Sequence, residues 1–305
     1  MNWLVGADRD ATPPGQRFRA ALRQGGILRI PGAHNGMAAL QARAAGFAAL
    51  YLSGAAMTAS MGLPDLGIIT VDEVCFFIRQ LARADLPVLV DGDTGYGEAL
   101  NAMQMVRAFE MAGAAAVHLE DQRLPKKCGH LNDKQLVGAD EMAAKIAAAV
   151  RARRDLVVVA RTDAAASEGL DGAIARARRY VAAGAEAIFP EALHSEEMLR
   201  AFAAAMPGVP LLANMTEFGR TPYFTAEQFQ AMGYAMVIWP VTSMRMASKA
   251  QEVLYTTLAR EGSAQSLLPQ MQTRAELYAA IDYAGYEALD ASIVRTVLPG
   301  AGADH

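Results

Sequence analysis

Residues 87–97 read Pro-Val-Leu-Val-Asp-Gly-Asp-Thr-Gly-Tyr-Gly: a short apolar run, then two acids in a glycine-rich turn, then an amphipathic pattern over 98–112. A continuous apolar run of this length suits a strand buried on both faces, as in a parallel sheet. The layout recurs at 27–30, 48–52, 115–119, 156–160, 185–189, 210–213 and 235–239, making eight runs with this one. Helical patterns fall between them at 37–45, 71–84, 140–152, 170–183, 195–205 and 225–232. Gly46, Gly113, Gly184 and Gly233 stand where a left-handed C-cap is expected, and Ser195 and Thr225 where an N-cap is. Eight strand–helix units in series predict the α/β class and a (β/α)₈ TIM-type barrel over an open doubly wound sheet. No Gly-x-Gly-x-x-Gly turn follows the first run, which argues against a dinucleotide fold.

A chain of 305 residues that is 53% hydrophobic has ample material for one large core. Its net charge of −4, without a long basic run, argues against nucleic acid or an anionic membrane as partner. No uninterrupted apolar run is long enough to span a bilayer, and the first residues lack the layout of a signal peptide. The cysteines are Cys75, in an apolar context that suits a buried inert thiol, and Cys128. With no convincing pair between them, a reducing, cytoplasmic location is expected.

The run ends hold the chemistry. They finish in Ser53-Gly54, Asp91-Gly-Asp93, Glu120-Asp121, Arg161-Thr-Asp163, Glu191, Asn214-Met-Thr216 and Pro240-Val-Thr-Ser243. In a barrel these positions converge on one rim, the face that carries catalysis. Asp91 and Asp93, two residues apart, share a face if the strand continues, and paired carboxylates repel unless a cation or proton lies between them. Oxygen ligands with Glu120 nearby favour Mg²⁺ or Mn²⁺ over zinc, the alternative being an N-cap beside a solvated acid. Arg161 offers a planar fork for a carboxylate; Arg245 and Arg274 could supplement it or serve as surface residues. Asn214 and Thr216 alternate onto one face, suited to an anionic ligand. Lys126-Lys-Cys-Gly-His130 sets a thiol among cations that favour thiolate; the plainer reading is a surface loop with an incidental cysteine. Zinc at Cys128 and His130 would lack a second Cys/His pair.

Tyr51-Leu-Ser-Gly54, Gly62-Leu-Pro-Asp-Leu-Gly67, Asp91-Gly-Asp-Thr-Gly-Tyr-Gly97, His118-Leu-Glu-Asp-Gln122, Lys126-Lys-Cys-Gly-His130, Ala160-Arg-Thr-Asp163, Phe189-Pro-Glu-Ala192 and Asn214-Met-Thr-Glu-Phe-Gly219 span most of the chain. On these motifs it resembles the isocitrate lyase/phosphoenolpyruvate mutase superfamily, and within it the methylisocitrate lyases, whose Lys-x-Cys-Gly-His loop marks the carbon–carbon lyases. The resemblance implies cleavage of 2-methylisocitrate to pyruvate and succinate, in propionate catabolism by the methylcitrate cycle. Alternatives are 2,3-dimethylmalate or isocitrate as substrate, and, from another class, a non-catalytic barrel scaffold. It also implies a single domain over 1–305 with 247–305 as a C-terminal helical arm swapped between subunits, two such dimers forming a homotetramer.

By the same resemblance Asp91 and Asp93 bind Mg²⁺, and Ser53, Gly54 and Ala55 hold a substrate carboxylate. Gly129, Arg161, Glu191, Asn214, Thr216, Arg245 and Arg274 complete the pocket for a small di- or tricarboxylate. Tyr51 is the candidate base. Cys128 is the general acid, its pKa brought toward the working pH by Lys126, Lys127 and His130. Phe189, Ile238 and Pro240 stand where the family discriminates the methylated substrate. Ala55 departs from relatives that have glycine, which is tolerable where only the backbone N–H is used.

Overall fold

A computed structural model describes residues 3–127 and 134–293. All eight runs are strands: β1 (Leu28–Pro31), β2 (Leu50–Leu52), β3 (Val88–Asp91), β4 (Ala116–Glu120), β5 (Val157–Thr162), β6 (Ala187–Pro190), β7 (Leu212–Asn214) and β8 (Met236–Trp239). They pair in parallel as two arcs, β2-β3-β4-β5-β6 and β1-β8-β7. Parallel bridges Gly32↔Tyr51 and Ile188↔Leu211 join the arcs, so the ring closes into the expected TIM-type barrel.

The helices are α1 (Pro14–Arg23), α2 (Gly36–Ala44), α3 (Gly54–Ser60), α4 (Val71–Leu81), α5 (Ala99–Ala112), α6 (Ala139–Ala152), α7 (Ala165–Ala182), α8 (Glu196–Ala205), α9 (Ala226–Ala231), α10 (Thr242–Glu261), α11 (Arg274–Ala280) and α12 (Tyr283–Ser292). Ser195 accepts from the Met198 N–H and Thr225 from the Gln228 N–H, as their N-cap positions predict. Gly46, Gly113, Gly184 and Gly233 all take positive φ at helix ends. Two helices lie outside the expected stretches. α1 is Arg-rich yet amphipathic, with Phe18, Ala21 and Leu22 on its packed face, and α3 is a short helix started by Ser53, whose side chain accepts from the Ala56 N–H. α7 begins earlier than the periodic stretch, with a break at Gly169.

Strand alternation divides the core in two. Leu52, Val90, Val117, Val158, Ile188, Ala213 and Val237 pack outward among the helices. Leu28, Ile30, Tyr51, Leu89, Ala116, Val157, Val159, Ala187, Phe189, Leu212, Met236 and Ile238 fill the barrel, with Phe18 of α1 in the same cluster. Following the interior positions toward the strand C-termini, Ala116 leads to His118 and Glu120, Val159 to Arg161, Phe189 to Glu191, and Leu89 to Asp91. One parity thus carries both the apolar plug and the polar rim.

Beyond β8 the chain leaves the barrel. Thr257 is the buried residue of α10, and α11 and α12 have none among the described residues. Val253, Tyr255, Leu277, Tyr278, Ile281, Tyr283 and Tyr286 are exposed along this arm. Among the described residues no helix is long and apolar enough to cross a membrane.

Candidate active site

Asp91 closes β3, and there the strand stops. Asp93 takes a left-handed φ of 46°, so the two acids do not share a strand face; a tight turn folds them together instead. The Asp93 N–H donates to Asp91 Oδ1 at 3.1 Å, and the Gly54 N–H donates to Asp91 Oδ2 at 3.0 Å. A Cβ on Gly54 would lie 3.0 Å from Asp91 Oδ2, so only glycine brings the start of α3 this close without crowding the carboxylate. Burial works against ionised Asp91, but His118, Lys126, Arg161 and the Gly54 N–H hold it well below the usual carboxylate range. Burial, then the charge of Asp91, pushes Asp93 up to about 7, against the pull of Lys126.

Lys126 is almost fully buried. Its Nζ lies 2.6 Å from Asp65 Oδ1 and makes an ion pair with Asp93 Oδ1. Burial opposes its charge, but Asp91, Asp93, Glu120 and Asp65 raise the ammonium far above its ordinary range. Glu120 Oε2 is 3.1 Å from Arg161 Nη1, while Oε1 has no hydrogen-bond partner. Burial drives the Glu120 carboxyl well up despite Arg161. Arg161 also donates from Nε to Asp163 Oδ2 at 2.9 Å, lies 3.5 Å from Glu191 Oε2, and covers the Phe189 ring at 5.2 Å. Asn214 Nδ2 donates to Glu191 Oε2 at 3.1 Å.

Tyr51 Oη lies 2.8 Å from His118 Nε2 and 3.4 Å from Asp91 Oδ2. Burial, then the Asp91 charge, pushes the Tyr51 hydroxyl well above its usual range, so it is protonated here at neutral pH.

These groups surround a cavity of about 60 Å³ lined by Tyr51, Ser53, Ala55, Asp65, Asp91, Glu120, Lys126, Lys127, Arg161, Phe189, Glu191, Asn214, Thr216, Ile238, Pro240 and Val241. Two larger cavities, of about 530 and 590 Å³, are lined chiefly by apolar side chains such as Phe47, Trp239 and Met246, or Leu40, Phe76 and Tyr286. The first carries the exposed Arg29–Glu227 pair and the second Arg43, Arg83 and Asp282, but the small cavity is the one that gathers buried carboxylates with buried cations, which makes it the candidate site.

The expected residues therefore divide. Gly54 and Asp93 border the cavity through Asp91. Arg245 and Arg274 do not line it. Arg245 donates to the Glu217 carbonyl at 3.0 Å and pairs with its carboxylate, and Arg274 is exposed at the start of α11. Cys128, Gly129 and His130 lie outside the described residues. Asp65 and His118 were missed as site residues by reasoning from strand ends, while Lys127, expected to tune the neighbouring thiol, lines the cavity itself. Asp65 sits in a loop with no periodicity, though it falls within the Gly62–Gly67 motif; His118 precedes its strand end by two residues.

The donor set fits a hard dication. Asp91 and Asp93 present oxygens side by side, Glu120 Oε1 is buried without a partner, and the Lys126 ammonium already sits against Asp93. Among the described residues no three acidic, His or Cys side chains form a ready metal cluster. Mg²⁺ is commonly held by one or two carboxylates and keeps several waters, and Asp91 and Asp93 are the residues that would hold it.

The chain matches the family described as phosphoenolpyruvate phosphomutase over residues 18–258. A 2-methylisocitrate lyase of Bacillus subtilis is 57% identical over 300 residues, 98% of this chain and 99% of that protein. The crystal structure of a 2,3-dimethylmalate lyase superposes with a TM-score of 0.87 at 34% identity, covering 92% of this chain and 96% of the other. A phosphonopyruvate hydrolase crystallised with oxalate and Mg²⁺ superposes with a TM-score of 0.84 at 30% identity, covering 93% and 100%. A closed parallel barrel with its acids on the C-terminal rim, together with these likenesses along nearly the whole chain, establishes that the protein belongs to the phosphoenolpyruvate mutase/isocitrate lyase superfamily.

Proposed function

We propose that the chain is a carbon–carbon lyase that cleaves 2-methylisocitrate to pyruvate and succinate. One observation carries the reading: a chain 57% identical to a 2-methylisocitrate lyase brings Asp91, Arg161, Glu191 and Asn214 around a single polar cavity. In the reaction the substrate hydroxyl loses its proton, the C2–C3 bond breaks with its electrons passing to C3, and C3 takes up a proton. Arg161 and Asn214 are suited to orienting substrate carboxylates, with Ser53, Gly54 and Ala55 supplying a further anchor. Asp91 and Asp93 would hold Mg²⁺, or Mn²⁺, which would polarise the oxygen on C2 and offset the Asp91 charge that, after burial, keeps Tyr51 protonated.

Tyr51 is the group at hand for the hydroxyl proton. Cys128 is the proposed acid that protonates C3, with His130 and Gly129 in the same loop. Lys127, the residue before it, lines the cavity and is fixed there: its N–H donates to the Gln122 side chain at 2.9 Å and its carbonyl accepts from it at 2.8 Å. Phe189, Ile238 and Pro240 form an apolar wall suited to the substrate methyl group. The exposed apolar residues of α10–α12 support an arm that packs on a second copy, and a helix-swapped homotetramer. An unpaired, buried Cys75 accords with a cytoplasmic enzyme.

The deciding experiment measures kcat/KM side by side on 2-methylisocitrate, isocitrate and 2,3-dimethylmalate in the presence of Mg²⁺. Highest efficiency on 2-methylisocitrate is expected. Preference for either of the others would reassign the substrate, and no cleavage of any would leave a non-catalytic barrel.

A further inference from the structure

The lyase reading leaves His118 without a role. It lies at the middle of β4 on the interior face and is completely buried. Its Nε2 is 2.8 Å from Tyr51 Oη and 3.6 Å from Asp91 Oδ1. The ring stacks on Tyr51 with centroids 5.8 Å apart and planes 14° from parallel, and Phe189 meets it edge-on at 5.4 Å. Nδ1 has no hydrogen-bond partner.

A charged imidazole donates from Nε2 in any case, and a neutral one has a single N–H. Placed on Nδ1, that proton would be a buried donor without an acceptor, one of the rarest features of folded proteins. Nε2 would then turn a bare lone pair toward the Asp91 carboxylate. Placed on Nε2, the proton meets two oxygens, and only a lone pair at Nδ1 goes unmatched. The Nε2–H tautomer is therefore the stable one. Tyr51 Oη then accepts from His118 and donates its own O–H to Asp91 Oδ2 at 3.4 Å, which leaves a lone pair of Oη for the cavity that Tyr51 lines.

Resting on the lyase reading for its consequence, we infer that His118 is a positioning residue: by donating Nε2–H to Tyr51 Oη it turns a lone pair of the tyrosine oxygen toward the hydroxyl on the carbon that becomes the ketone. A hydrogen bond donated to Oη also favours the phenolate form that a base requires. Without His118 the O–H can rotate into the vacated space, and the lone pair at Oη loses its fixed direction.

Two measurements test this. In the full-length protein labelled with ¹⁵N-histidine, the His118 ring, identified by loss of its signals in His118→Gln, should report the Nε2–H tautomer. An Nδ1–H tautomer overturns the inference whatever the substrate proves to be. In kinetics on 2-methylisocitrate, His118→Leu should lower kcat roughly 10- to 100-fold with KM little changed, the loss expected when one aligned hydrogen bond is removed. His118→Gln, whose amide N–H reaches a similar position, should recover most of it. In a Tyr51→Phe background His118→Leu should cost less than about 2-fold, because the effect passes through the missing hydroxyl. An equal loss in both backgrounds would assign His118 to packing alone. A parent enzyme inactive on 2-methylisocitrate would sink the lyase reading, while the tautomer would still decide the hydrogen bond.

Discussion

The Lys126 ammonium lies 2.6 Å from Asp65 Oδ1 and pairs also with Asp93, tying the segment that enters the cysteine loop to the acids at the end of β3. A buried lysine among carboxylates supplies part of the positive charge that the acid pair requires. Lys126→Met should leave those acids uncompensated and destabilise the metal-free protein by about 3–5 kcal/mol, the range for breaking a buried ion pair. Urea denaturation measures it, and Mg²⁺ should restore part of the loss. An unchanged midpoint would mean the pair contributes nothing.

Mg²⁺ should raise the melting temperature of the parent protein by a few degrees, since a ligand that binds only the folded state stabilises it by mass action. Asp91→Ala should abolish that rise. Chelation should remove activity and added Mg²⁺ or Mn²⁺ return it. Full activity in excess chelator would contradict the metal assignment.

Cys128→Ser should retain the melting response to Mg²⁺ yet lower kcat by roughly 10²–10⁴, the span for loss of a general acid. Iodoacetamide should alkylate Cys128 well before Cys75, whose thiol is buried and pushed up in pKa by that burial. Equal labelling of the two would count against an activated thiol at 128.

Phe189 and Ile238 are fully buried against the cavity, so the wall has a fixed shape. One methyl group in such a wall should favour 2-methylisocitrate over isocitrate by roughly 10–200-fold in kcat/KM. Phe189→Trp should narrow the space and penalise the methylated substrate selectively. Parallel losses on both substrates would show that the residue does not discriminate.

Removal of residues after 247 should yield a dissociated, less stable protein by light scattering and thermal melting. The arm's apolar side chains remain partly exposed on the single chain, Tyr255 at 66% and Tyr283 at 42%, and burial against another copy is what such a surface requires. A stable truncated protein with unaltered mass per assembly, less the arm, would refute the assembly.

The barrel was legible because its signals are local. Each strand is a run of apolar residues that repeats, and each helix announces its ends through residues such as Ser195, Thr225, Gly113 and Gly184, whose side chains or backbone freedom act within one turn. Their position at the C-terminal ends of the runs then put Asp91, Arg161, Glu191 and Asn214 on one rim. The tertiary structure decided what position in a run cannot. The bond between Tyr51 and His118 joins residues 67 positions apart, and its length depends on the register of β2 on β3 and of β3 on β4. Asp65 enters the site from a loop without periodicity, and Arg245 is held by Glu217 outside the cavity lining although its charge alone suits an anion. Asp93 meets Asp91 through a left-handed turn, not a shared strand face. Sequence fixes which residues can reach the rim, because alternation is a property of the strand itself; which of them touch is set by ring closure and side-chain competition, properties of the whole fold.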